Sequence, residues 1–356
     1  MIENLSTNTP ERRQTEKHIL PTDSKKAKLL DSIKNADLTK TAIFLGGVDP
    51  DGLASAATME AILQKWGFNP TIFYKGTFNR PQNKVFRTLL NINAQPEEKF
   101  NEEDGYTCII STDAPADLCP VQPHFIIDHH ETSGGSAKIG SDIRLIGATS
   151  SILLEYAMAA EINFSDEQGA RLATALAIGI KTDTRDGAVE SSTDLDFEAL
   201  SFCLKHKDNK TYKAILNAPR PSYYSDFYVM GWNNKKIEGS VLVTGLGNIP
   251  EQRSGVISDI AEQFSSTDGI STAVAFGVVE GSVDISVRST NSSLDVGEFI
   301  RTAFGGIGGG KMGAGRGKIE IPNLFRDLPD DLSARFFDIV NEIVKHKCLQ
   351  IAGDRK

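Results

Sequence analysis

Acidic and imidazole side chains occur in four short clusters in the first half of the chain. GGVDPDG carries Asp49 and Asp51, STDAP carries Asp113, IIDHHETS carries Asp128, His129 and His130, and KTDTRDG carries Asp183. The chain has only six histidines, and two of them are this adjacent pair. Taken singly, each cluster has a plain reading. Asp51-Gly52 can be a turn before a helix, His129 a structural imidazole, Asp183 a loop cap, and Asp128 a group that orients an imidazole. Taken together, they describe carboxylates that would repel one another strongly in one cleft. A proton or a bound cation relieves that repulsion. Oxygen-rich donors with one or two imidazoles suit Mn²⁺ or Mg²⁺ better than a closed thiolate zinc site. Two such ions about 3.5–4 Å apart clamp a phosphoryl group and generate hydroxide at neutral pH. Asp113 is the carboxylate expected to bridge them.

The flanking pattern says which elements must position these groups. TAIFLG (41–46), PTIFYKG (70–76), YTCIIST (106–112) and HFIID (124–128) read as short buried strands. Between and after them, GLASAATMEAILQKWG (52–67) reads as a helix with Leu53, Ala56, Ala57, Ile62 and Leu63 on one face, ended by Gly67. Further helices are expected over 81–92, 149–160 and 167–180, with two more in 192–217. Strand–helix alternation predicts a mainly parallel, twisted sheet with helices on both faces. Ligands of such sheets bind beyond the carboxyl ends of the strands. Asp49, Asp51, Asp113 and the Asp128–His130 run all follow predicted strands, and Asp183 follows the helix expected to end at 180.

The remainder divides the chain into further segments. Residues 1–40 read as a polar extension with one amphipathic helix (25–36) carrying Leu29, Leu30 and Ile33. Residues 41–217 form the first domain, 218–234 a Pro- and Tyr-bearing linker, and 235–350 a smaller α+β domain. Within the last, 255–265 is helical, 270–289 is a β-hairpin turning at Glu280-Gly281, and 331–345 is a final helix. The segment 294–304 shows the i, i+3, i+4, i+7 spacing of a core-facing helix. A glycine-rich loop, GGIGGGKMGAGRG, follows it.

Composition bounds the chemistry. The chain has 356 residues, 40% apolar and 24% charged, the balance of an ordinary globular protein of roughly two domains. No apolar run reaches the roughly 18–20 residues of a membrane span. The polar start lacks a signal-peptide core, and Cys108, Cys119, Cys203 and Cys348 form no CxxC pair. A reducing cytoplasm with no membrane partner is the expected setting. Lys+Arg number 38 against 47 Asp+Glu, a formal net of −9. That balance argues against a broad grip on duplex DNA and leaves room for a short phosphate substrate.

The motifs also resemble those of the DHH phosphoesterase superfamily, named for the Asp-His-His that stands here at 128–130. GGVDPDGLASAA resembles its first motif, STDAP its second, IDHHETS its third and GIKTDTRDG its fourth, with GATSSILLEY (147–156) similar to the segment after the third. Residues 287–315, VRSTNSSLDVGEFIRTAFGGIGGGKMGAG, resemble the associated DHHA1 domain. The resemblance implies that Asp49, Asp51, Asp113, His129 and Asp183 ligate two ions, Mn²⁺ or Mg²⁺. It implies that His130 contacts the substrate phosphate, and that Arg288, Gly308, Gly309, Gly310 and the adjacent Lys311 hold the substrate. The sequence departs from the family in two places. Leu45 or Gly47 stands where relatives carry a further first-motif ligand, and Gly310 stands at the histidine of the DHHA1 loop.

The activity implied is metal-dependent hydrolysis of short single-stranded RNA or dinucleotides to mononucleotides, with pAp as a second substrate and a homodimer as one form. The rivals are a RecJ-like single-strand exonuclease, a pyrophosphatase sharing the first four motifs, and a nucleotide-binding protein without turnover.

Overall fold

The computed structural model describes residues 24–130, 135–311, 313–325 and 328–354. It divides into two compact units. The first takes the chain up to 78 together with 82–218, and the second takes 79–81 together with the chain from 219 onward.

The first unit is built on a six-stranded, fully parallel sheet. Its strands are β1 (Thr41–Leu45), β2 (Thr71–Tyr74), β3 (Ala94–Pro96), β4 (Cys108–Thr112), β5 (Phe125–Asp128) and β6 (Gly140–Ile143), in the order β3-β2-β1-β4-β5-β6. The four expected strands are present. The two edge strands carry no comparable signal, because β3 has three residues and ends on Pro96, and β6 is a half-exposed GSDI. Polar, short edges are how sheets avoid pairing with other chains.

Its helices are α1 (Ser24–Lys34), α2 (Pro50–Lys65), α3 (Pro81–Leu89), α4 (Thr149–Ala159), α5 (Glu167–Asp183), α6 (Asp194–His206) and α7 (Asn209–Leu216). Helix α2 starts on Asp49, whose side chain accepts from Gly52 N–H, with Pro50 at the first helical position. It gives way to Gly67 at φ +91°, the left-handed position expected after a helix C-terminus. Its burial exceeds the one-sided face expected from sequence, since every residue from Pro50 to Met59 and from Ala61 to Leu63 is buried. The cause is its small side chains, Ala54, Ser55, Ala56 and Ala57, which let α4 and α5 close over the side turned from the sheet.

The second face of the sheet also differs from expectation. Phe44 and Phe73 point away from the helical core and pack on Phe100 and Tyr106, ring centroids 5.0–5.9 Å apart in edge contacts. Loop residues rather than a helix cover this cluster. Helix α5 also runs to Asp183 instead of stopping at 180.

The second unit has a six-stranded mixed sheet: β7 (Lys236–Glu238), β8 (Val241–Asn248), β9 (Thr272–Val279), β10 (Ser282–Ser289), β11 (Gly309–Lys311) and β12 (Ala314–Glu320), ordered β11-β12-β10-β9-β8-β7. β8 and β9 are parallel and the other pairs antiparallel. Residues expected to be a linker instead form α8 (Tyr223–Asn234), which buries Tyr224, Phe227 and Gly231. The other helices are α9 (Gly255–Ser265), α10 (Val296–Ala303) and α11 (Asp330–Asp354), the last longer than the 331–345 expected. Strand alternation serves two cores. Val274 and Phe276 face one, with α10 and α11, while Ala273 and Ala275 face the other, with α8 and α9. The β9–β10 hairpin turns at Glu280 (φ +37°) and Gly281 (φ +82°), the paired positive φ of a tight two-residue loop. The glycine-rich segment is likewise no free loop, because Gly309–Lys311 pairs with Ala314–Arg316.

Helix α5 packs its start directly on backbone. A Cβ at Gly169 would lie 1.9 Å from the Asn163 carbonyl oxygen. Gly169→Ala is therefore expected to destabilise the protein by about 1–3 kcal/mol. Urea unfolding checks this, and Gly269→Ala, with open space around it, separates packing from backbone strain, because its glycine sits at φ +78°.

Candidate metal centre

The strand order reverses between β1 and β4, the switch point at which parallel sheets bind ligands. Asp49 and Asp51 follow β1 and Asp113 follows β4, so they flank that point. Asp113 has φ +55°, a left-handed conformation that aspartate tolerates better than most residues. Its N–H still donates to the Ile127 carbonyl, at 3.0 Å.

Asp51 is fully buried. Its two carboxylate oxygens accept from the N–H groups of Thr149 and Ser150, each at 2.8 Å. Those groups open α4, whose positive dipole end favours a carboxylate. Thr149 also donates its hydroxyl to Asp113 Oδ1 at 2.9 Å. One helix start therefore holds two carboxyl groups side by side. Gly52 permits this approach, since a Cβ there would meet Asp113 Oδ2 at 3.1 Å and the Gly47 carbonyl at 2.9 Å.

His129 enters from the end of β5. Its Nδ1 lies 3.0 Å from the Ile146 carbonyl oxygen. A carbonyl only accepts, so Nδ1 carries the proton and Nε2 offers its lone pair. That Nε2 lies 3.6 Å from Asp113 Oδ1 and 3.4 Å from Asp183 Oδ2. Asp183 sits in the last turn of α5 rather than in a loop beyond it. Donor atoms of Asp51, His129 and Asp183 lie within 4.8 Å of one another, and so do those of Asp113, His129 and His130.

His130 is oriented by Asp128. Asp128 Oδ1 accepts from His129 N–H (2.8 Å), from His130 N–H (3.3 Å) and from His130 Nδ1 (2.8 Å). The His130 ring is about one-third exposed, so its Nε2 edge is the accessible one. Asp128 thus serves to orient an imidazole.

Asp49 stands apart from both donor groups. It is exposed, and its carboxylate caps α2. Its charge still reaches the site. Burial pushes Asp113 well above the usual carboxylate range, and the charges of Asp51, Asp49, Asp183 and Asp128 push it further. Burial raises Asp51 as well, opposed by His129. Such a set fits a divalent cation: hard oxygen donors, one correctly directed imidazole nitrogen, and buried carboxyls that need a positive partner. Leu45, one of the two residues standing at the further first-motif ligand position, faces the hydrophobic core at 2% exposure. Gly47 sits beside the Asp49 carboxylate.

The candidates of the second unit are placed differently. Arg288 on β10 is buried, donates from Nε to Glu262 Oε2 at 2.7 Å, and is lowered to about 10, chiefly by burial. Gly308 and Gly310 are required by the hairpin itself, since a Cβ would meet the carbonyl oxygens of Arg316 and Ala314 at 2.6 and 2.4 Å. Gly309 has open space around it. Lys311 pairs through its backbone, and its side chain lies outside the described residues, as does Met312.

Four supports of this site were not among the candidate residues: the backbone N–H groups of Thr149 and Ser150, the Ile146 carbonyl, and Asp196. Asp196 binds Gly147 N–H and Ser151 Oγ. The segment 147–156 was marked only as a whole, as a helix-bearing stretch similar to the one that follows the third motif.

Residues 238–342 match the DHHA1 domain family. An uncharacterized protein of Methanocaldococcus jannaschii, MJ1633, is 29% identical over 310 residues, 86% of this chain and 62% of its own length. The chain thus spans under two-thirds of that curated relative. In fold it is similar to an exopolyphosphatase-related protein from Bacteroides fragilis, with a TM-score of 0.64 and 15% identity over 95% of this chain and 97% of that one.

Asp51 and Asp113 both have raised pKa values in the metal-free protein. Their protonated forms stabilise the fold at low pH, and that contribution is lost as pH rises through the raised values. A divalent cation held by these carboxylates would replace it at neutral pH. At a concentration 100-fold above its Kd, Mn²⁺ is expected to add about 2.7 kcal/mol, read as a rise in Tm. The rise shrinks between pH 7 and pH 5 as protons compete, and Asp113→Ala abolishes it. An unchanged Mn²⁺ response in that variant would refute the donor assignment.

Proposed function

We propose that this chain, a member of the DHH/DHHA1 phosphoesterase superfamily with its DHHA1 domain at residues 238–342, is a metal-dependent phosphodiesterase. Its substrates are short single-stranded RNA and dinucleotides, including linear dinucleotides from cyclic dinucleotide turnover, which it converts to mononucleotides. pAp is a further substrate. The observation that carries this reading is the direction of His129 Nε2, aimed at Asp113 and Asp183 with Asp51 alongside.

Asp51, Asp113, His129 and Asp183 would hold the ions, with Asp49 at the exposed rim and Mn²⁺ as the ion of choice. When bound, such ions supply Lewis acidity at a phosphoryl oxygen and lower the pKa of water. The other tasks fall to the chain. The Ile146 carbonyl keeps the His129 proton on Nδ1. The start of α4 holds Asp51 and Asp113 in place as charge at the site changes. Asp128 keeps the His130 ring turned so that Nε2 meets a non-bridging phosphate oxygen. Arg288 offers a bidentate fork to a second anionic group once Glu262 yields it, and the Gly308–Gly310 backbone and Lys311 sit on the neighbouring hairpin. The −9 balance suits a substrate of few phosphates, because a long polyanion needs many cationic contacts.

Purified chain with Mn²⁺ and 5′-labelled RNA of two to seven residues tests this. Dimers are expected to disappear faster than heptamers, and Asp113→Ala to remove turnover with an unchanged circular dichroism spectrum. No product at any length with nucleotide still bound would replace the enzyme with a binding protein. Cleavage of pyrophosphate or polyphosphate alone would replace the substrate class.

A further inference from the structure

The peptide group joining Ile146 to Gly147 carries a hydrogen bond at each end. Its carbonyl oxygen lies 3.0 Å from His129 Nδ1. Its N–H donates to Asp196 Oδ2 at 2.9 Å. We infer that Asp196 is a positioning residue for His129, acting through this single peptide group.

The physical basis is amide resonance. Donation of the N–H to a carboxylate draws electron density toward the carbonyl oxygen and makes it a better acceptor. A better acceptor holds the His129 proton on Nδ1 and leaves the Nε2 lone pair toward Asp113 and Asp183, 3.6 and 3.4 Å away. Metal-binding imidazoles are commonly held by a carboxylate directly. Here a peptide stands between the two.

The surroundings are shaped for this contact. Asp196 is 1% exposed, and the described groups that bond it are donors. Ser151 Oγ reaches Oδ1 at 2.6 Å, while Thr193 N and Oγ1 reach Oδ2 at 2.8 and 2.9 Å. The Thr193 N–H contact is one half of the capping box of α6. The contacts to Gly147 and Ser151 go beyond what capping requires and tie α6 to the turn after β6 and to α4. Position 147 must be glycine for the carboxylate to come this close, since a Cβ would lie 2.8 Å from Asp196 Oδ2 and 2.5 Å from Thr184 Cγ2. The other end of the turn is pinned by Arg144. Its N–H donates to the Asp128 carbonyl at 3.1 Å, and its guanidinium bridges Asp142 and Glu155.

This inference rests on His129 as a metal ligand, and its test is independent of RNA turnover. Asp196→Asn keeps the shape and removes the charge. Its Mn²⁺ Kd, read by electron paramagnetic resonance titration, is expected to rise about 10–100-fold. The His129 ring ¹⁵N signals of the metal-free variant are expected to lose their pure Nδ1–H pattern. Asp208→Ala removes a helix cap of the same unit that touches neither Asp196 nor His129, the carboxylate that accepts from Thr211 N–H at the start of α7. It is expected to lower Tm while leaving Mn²⁺ Kd and tautomer as in the wild type. Wild-type affinity in Asp196→Asn, or an equal loss of affinity in Asp208→Ala, would overturn the assignment. If Asp196→Asn does not fold, the wild-type metal-free spectrum decides: an Nε2–H tautomer at His129 overturns it, and Nδ1–H with a strongly downfield Gly147 amide supports it. Normal Mn²⁺ dependence on Asp196 without RNA cleavage would remove the proposed activity and leave this inference standing.

Discussion

Burying Asp51 beside Asp113 is the constraint around which the first unit is arranged. Two buried carboxyl groups in contact range cost several kcal/mol unless donors or cations meet them. The start of α4 supplies those donors, two backbone N–H groups to Asp51 and one hydroxyl to Asp113. Helix α4 must then lie across the start of α2, and α2 must be slim enough to be enclosed. Its run of Ala and Ser residues meets that need. Gly179 of α5 meets it from the other side, since a Cβ there would press within 2.5 Å of Ser150 Oγ and 3.2 Å of Asp51 Cα.

The sheet order converts these local arrangements into a site. Reversal between β1 and β4 opens a crevice where the first two acidic clusters emerge, and β5 stands next to β4 to deliver the two histidines. The histidines are then treated oppositely by their neighbours. His129 gives its Nδ1 proton to a backbone carbonyl and turns Nε2 inward. His130 is fastened through Nδ1 to Asp128 and keeps an exposed edge. Two adjacent residues of one type, their ring centroids 4.3 Å apart, differ because each ring finds a different acceptor.

Much of this was legible in the chain. Short apolar runs marked four strands, three of them followed by acidic side chains, and in the fold Asp51, Asp113, His129 and Asp183 lie near one another. The positive-φ hairpin at Glu280-Gly281 was legible for the same reason, a local conformational preference. The edges β3 and β6 were not, being too short or too polar to show a period. The segment 218–234 looked like a linker through its prolines and tyrosines, yet its second part folds as α8 because Tyr224 and Phe227 have a core to enter. Asp49 matched a ligand position, and in the fold its carboxylate caps a helix.

Sequence by itself determined which side chains are available at the carboxyl ends of the strands, because strand and helix periodicity is local and residue type is explicit. Only the tertiary structure decided which carboxyls meet, which nitrogen of His129 carries the proton, and that Asp196 lies one peptide away from that histidine. Those outcomes depend on backbone N–H and C=O groups at Ile146, Gly147, Thr149 and Ser150. Every non-proline residue carries the same pair of groups, so no choice of amino acid announces their use. It takes folding to bring Asp51 to residues 149–150 and Asp196 to residue 147.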